Sequence, residues 1–105
     1  DVYKRQTYTD GQIAETMKEV WKDNHYLLDP HGACGFRALQ EGLQAGETGI
    51  FLETAHPAKF KDTVEKIIGE AVQIPEKLQA FMRGEKKSLP MSKGFEDFKR
   101  YLMSI

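Results

Sequence analysis

The sequence predicts a mostly helical piece of an α/β protein, with one buried strand set among helices. Three observations lead there. Ile50-Phe51-Leu52-Glu53 is a short apolar run bounded by Gly49 and Pro57, the pattern of a strand covered on both faces. Elsewhere apolar residues recur at helical spacing, in the order helix, helix, strand and then three helices. A single strand cannot pair with itself, so its backbone N–H and C=O groups need neighbours beyond these residues. The expected whole is a larger α/β enzyme of which this chain is a part.

The elements follow in order. Thr9 and Gln12 have the spacing of a capping box and open a helix over about Asp10 to Asn24. Ile13, Met17, Val20 and Trp21 form its apolar stripe, with Trp21 as a core anchor and Asn24 as a left-handed end residue. Asp29-Pro30 supplies a cap and a first-turn proline for a second helix reaching about Ala45, with Phe36, Leu39 and Leu43 buried. Gly32 and Gly35 sit inside that helix, where each glycine costs about 1 kcal/mol against alanine, so a ligand or neighbouring element should approach closely there. After the strand, Pro57 opens a helix with Phe60, Val64, Ile67 and Ile68 inward and Gly69 at its end. Pro75 opens another, with Leu78, Phe81 and Met82 inward and Gly84 closing it. Glu85 to Gly94 reads as a loop, and Phe95, Phe98 and Leu102 mark a last amphipathic helix.

Bulk properties narrow the function classes. A chain of 105 residues holds at most one small domain with a modest core. Fifteen basic against sixteen acidic residues give no electrostatic footprint for nucleic acid or a membrane surface. One cysteine excludes an internal disulfide framework and fits a reducing, cytoplasmic setting. No apolar run approaches a membrane span. Asp1 to Gln6, Asp-Val-Tyr-Lys-Arg-Gln, reads as a translated sequencing-adapter scar, which leaves residues 7–105 to carry the fold.

The strongest functional candidate is the turn Thr54-Ala55-His56. It lies at the carboxyl end of the expected strand and against a helix amino terminus, where open α/β proteins bind ligands. Cys34 admits a nucleophile paired with His31, a metal site made with His31 and His56, or a buried structural cysteine. Lys59, Lys61 and Lys66 read first as a solvated face. Thr54 has an alternative role as the N-cap of the helix that follows it.

Glu53-Thr-Ala-His-Pro-Ala-Lys-Phe60 resembles the C-terminal signature of the threonine synthases, pyridoxal-phosphate enzymes with a tryptophan synthase β-like fold. Asp29-Pro-His-Gly-Ala-Cys-Gly-Phe-Arg-Ala-Leu39 and Ile74-Pro-Glu-Lys-Leu-Gln-Ala-Phe81 are similar to two further blocks, and the likeness runs from Tyr8 to Leu102. The resemblance implies the C-terminal fragment of a catalytic domain that converts O-phosphohomoserine and water to threonine and phosphate. It implies that the Schiff-base lysine lies outside this chain, which needs the missing N-terminal part and is inactive alone. It makes Thr54 the partner of the cofactor's ring nitrogen. His56, Lys59 and His31 are then the candidates for the substrate's phosphate, at or near helix starts that already favour an anion. The alternative is a non-catalytic helical binding or regulatory module.

Overall fold

A computed structural model describes residues 6–105, so the expectation for Asp1 to Gln6 falls, Gln6 apart, outside the described residues. The chain divides into two compact units that meet at Pro75 and Glu76. The first holds α1 (Asp10–Asn24), α2 (Pro30–Gly42), a 3₁₀ turn (Pro57–Phe60) and α3 (Lys61–Ile68). The second holds α4 (Glu76–Met82) and α5 (Phe95–Leu102). Among the described residues no helix is long and apolar enough to cross a membrane.

Helix α1 begins and ends where its local chemistry directs. The Thr9 side chain accepts from the Gln12 N–H at 3.3 Å, and the Gln12 side chain accepts from the Thr9 N–H at 2.9 Å. At the other end His25, not Asn24, takes the left-handed conformation, with φ of 50°, and sends its N–H to the Trp21 carbonyl. The His25 ring stands edge-on to Trp21 at 5.5 Å. Trp21 itself is half-buried, its indole N–H bonded to Glu70 at 3.0 Å, so it ties α1 to the end of α3 and is no deep anchor.

The core of the first unit comprises Met17 and Val20 of α1, Leu28, Ala33 of α2, Ala58, Val64 of α3 and Val72. Helix α1 packs against both α2 and α3. Arg37 fastens α1 to α2: its guanidinium reaches Glu15 at 3.1 Å, the Gln12 carbonyl at 3.3 Å and Glu41 at 3.0 Å. Gly69 ends α3 in the left-handed conformation, and Glu65 turns the connector back by accepting from the Val72 N–H at 2.9 Å.

The expected buried strand is not formed. Residues 50–53 are extended, but among the described residues there is no β-strand and hence no partner for their backbone. Ile50 and Leu52 are 86% and 76% exposed, while Phe51 and Glu53 are half-buried. The stretch thus keeps the period of two with its inner face against α2, and its outer face is open. Helix α2 also stops at Gly42 rather than Ala45, leaving Leu43 exposed and Phe36 and Leu39 half-buried. The chain must turn back there, through Gly46 with φ of 84°, to lay Gly49 beside Leu39 and Leu43.

In the second unit the expected inward faces are largely uncovered. Leu78 is half-buried, but Phe81 and Met82 of α4 and Phe95, Phe98 and Leu102 of α5 are exposed. Helices of seven and eight residues present apolar stripes without enough partner surface to bury them.

Candidate functional site

Asp29 organises the site. It is the N-cap of α2 and fully buried, and its Oδ1 accepts from the His31 N–H at 2.7 Å and the Gly32 N–H at 3.3 Å. The His31 ring closes on the same oxygen, with Nδ1 at 3.1 Å. Among the described residues its other oxygen, Oδ2, has no hydrogen-bond partner, and neither has Oε1 of Glu53. Gly32 touches both side chains, its N–H bonded to Asp29 and its Cβ position taken by the Glu53 carboxyl. Burial, then a hydrogen bond and charge repulsion from Asp29, push the Glu53 carboxyl up to about 7. Burial alone would also raise Asp29, but the His31 N–H, Glu53, the Gly32 N–H and the His31 ring together hold it below its ordinary value.

The close approach expected at the helix glycines is found at Gly32 and not at Gly35. A Cβ at Gly32 would collide with the Glu53 carboxylate, so glycine makes room for that side chain. One turn on, Gly35 lies against Phe51, where a Cβ would meet the Phe51 Cβ at 3.7 Å. Phe51 also stands edge-on to Phe36 at 5.5 Å. His31 leans on Phe60 with ring centroids 5.1 Å apart. The blocks Asp29–Leu39 and Glu53–Phe60, far apart in sequence, therefore form one packed surface. Beside it Val20, Asn24, Tyr26, Phe36, Phe51 and Glu53 line a cavity of about 470 Å³.

The turn after Glu53 displays the candidate residues. Thr54 is exposed, and its hydroxyl has no partner among the described residues. The N-cap of the following 3₁₀ turn is His56, whose Nδ1 accepts from the Ala58 N–H at 3.0 Å, so capping is not the role of Thr54. An accepting Nδ1 carries no proton, which leaves Nε2–H of neutral His56 as a donor. Lys59 is exposed and makes no ion pair among the described residues. His31 is joined to this turn through Phe60, though its Nδ1 is engaged by Asp29.

Cys34 does not assemble into either of its sharper alternatives. Its Sγ donates to the Pro30 carbonyl at 3.4 Å, and burial followed by the Asp29 charge raises its thiol, which disfavours the thiolate a nucleophile needs. His31 turns to Asp29 instead of the sulfur. Among the described residues no group of three or more His, Cys, Asp or Glu side chains could hold a metal ion. Glu53 was not singled out from sequence, where it stood only as the end of a strand. The signal lay in Gly32, which required a close neighbour.

The chain is similar to known proteins over most of its length. The family model described as "Threonine synthase, C-terminal" matches residues 32–102. The threonine synthase of Haemophilus influenzae is 40% identical over 95 residues, covering 90% of this chain and 22% of that protein. That of Escherichia coli is 44% identical over 82 residues, 78% of this chain and 18% of that protein. The crystal structure of threonine synthase from Escherichia coli superposes with a TM-score of 0.82 at 38% identity, over 90% of this chain and 22% of that one. The structure of PLP-bound threonine synthase from Brucella melitensis gives 0.73 at 30% identity, over 88% of this chain and 20% of that one. The chain spans about a fifth of the length of these relatives.

Proposed function

The chain belongs to the threonine synthase C-terminal family, and on that premise we propose that it forms the C-terminal part of a pyridoxal-phosphate enzyme acting on O-phosphohomoserine. The products are threonine and phosphate. The observation that carries the proposal is the Thr54 hydroxyl: exposed, without a partner among the described residues, and set between two anchored neighbours. Glu53 on one side is packed on α2, and His56 on the other is tied to the Ala58 N–H.

A free hydroxyl suits an unprotonated ring nitrogen, to which it donates one hydrogen bond. Thr54 would hold the pyridine nitrogen in this way. When bound, the cofactor supplies an electron sink for the chemistry at the substrate's β and γ carbons. A neutral donor leaves the ring nitrogen uncharged, whereas a carboxylate would hold a full pyridinium. The Nε2–H of exposed His56 and the ammonium of Lys59 supply donors for the substrate's phosphate, with His31 as a third contributor from the adjoining helix start.

Kinetics and cofactor titration of the complete enzyme carrying this segment provide the test. Thr54→Val removes the donor while keeping the shape, and should weaken cofactor binding by about 1–3 kcal/mol, the cost of a buried polar atom left unpaired. Thr54→Ser should retain most of that affinity. Lys59→Met should instead raise KM for O-phosphohomoserine and leave cofactor affinity unchanged. A valine variant with unaltered cofactor affinity removes Thr54 from the site, and an unaltered KM removes Lys59.

A further inference from the structure

We infer that Glu53 is a positioning residue for the Thr54 turn: its carboxyl shares one proton with Asp29, and that proton clamps the start of the turn to the amino end of α2. The inference rests on the assignment of Thr54 to the cofactor and specifies what holds Thr54 in place.

The geometry demands a proton. Asp29 is 0% exposed and takes three donors on Oδ1, which leaves its buried Oδ2 without a partner among the described residues; Oε1 of Glu53 is likewise buried and unpartnered, and it lies against Gly32, whose N–H bonds Asp29. Two buried carboxylate oxygens without donors are disfavoured as a pair of anions, but one proton turns either carboxyl into a donor for the other. The donors on Asp29 favour its anion, so the proton resides on Glu53 and is donated toward Oδ2 of Asp29. Gly32 keeps the approach open, since a Cβ there would occupy the position of the Glu53 carboxyl.

The groups facing the pair come from each neighbouring element. His31 of α2 touches Asp29, Cys34 of α2 feels the Asp29 charge, and Tyr26 lines the cavity that Glu53 borders. Glu53 directly precedes Thr54, and His56 is anchored two residues beyond it. Loss of the shared proton to solvent leaves two facing anions and releases one of the two anchors of Thr54. The sign follows from both shifts. Glu53 is raised from 4.5 to about 7, so its contribution is complete below 4.5 and lost as pH rises through about 7. Asp29 is lowered from 3.8, so its contribution is present above 3.8 and lost as pH falls through its depressed value. The clamp therefore closes in mildly acidic solution and opens across neutrality.

Infrared difference spectroscopy and cofactor titration on the complete enzyme carrying this segment test the inference. With cofactor removed, the wild type should show a carboxylic-acid C=O band that titrates away with a midpoint near 7, and Glu53→Gln should lack it. Cofactor affinity of the wild type should fall above that midpoint, by at most about tenfold per pH unit for one proton. The Glu53→Gln variant donates from its amide at every pH and should keep a flat profile. No titrating band in the wild type would overturn the shared proton. A band that vanishes in Glu53→Gln while the affinity profile keeps its slope would overturn the positioning role. Thr54→Val leaves the band in place, so a failed cofactor contact and a failed clamp are read out separately.

Discussion

At the residue scale, two glycines of the same helix should answer differently to the same substitution. Alanine at either position gains about 1 kcal/mol of helix propensity. At Gly35 the added methyl meets Phe51 at an ordinary 3.7 Å, so Gly35→Ala should be neutral or stabilising. At Gly32 the methyl occupies the place of the Glu53 carboxyl, which can swing away only by giving up the proton inferred to be shared with Asp29. A lost hydrogen bond to a charged group costs about 1.5–3 kcal/mol, which outweighs the propensity gain. Gly32→Ala should thus lower the thermal midpoint of the complete enzyme despite alanine being the better helix former. A rise in midpoint for both variants would show that the Asp29–Glu53 contact contributes little.

At the element scale, caps and side-chain staples govern where each helix begins and how it is fixed. The reciprocal Thr9–Gln12 bonds satisfy N–H groups that α1 would otherwise leave open. Thr9→Ala should cost about 1 kcal/mol, and Thr9→Ser should restore most of it, as read from denaturant midpoints. Equal midpoints for Thr9→Ala and the wild type would mean that Arg37, which holds the Gln12 carbonyl and Glu15, fixes the first turn without the cap. The positions of helix starts were legible in sequence because capping is a local exchange of hydrogen bonds. The end of α2 was not, because it depends on the return of Gly49 against Leu39 and Leu43.

At the scale of the whole molecule, both units carry apolar surface that their own residues leave uncovered. Ile50 and Leu52 stand out from the first unit, and Phe81, Phe95 and Met103 from the second. Extended backbone with open edges and an apolar outer face is a pairing hazard. The 105-residue chain expressed by itself should self-associate, and Ile50→Lys with Leu52→Lys should shift sedimentation toward the monomer. It should also form no threonine from O-phosphohomoserine, given that it spans about a fifth of the length of its relatives. A reversible monomeric unfolding transition would contradict the first expectation, and detectable threonine the second.

The sequence by itself determined the family, through Glu53–Phe60, Asp29–Leu39 and Ile74–Phe81, and the starts of α1 and α2, through Thr9, Asp29 and Pro30. Both rest on short stretches in which neighbouring residues interact directly. It also singled out Gly32 and Gly35 as sites of close approach without naming what approaches, and only Gly32 meets a neighbour closer than ordinary contact. Only the tertiary structure decided that question, and with it the fate of the apolar run. Residues 50–53 have the composition of a buried strand, but a strand needs a partner's N–H and C=O groups, and among the described residues none is offered. The pairing of Asp29 with Glu53 was equally hidden, because carboxyls 24 positions apart acquire a shared environment only when the fold brings them together in a low-dielectric pocket.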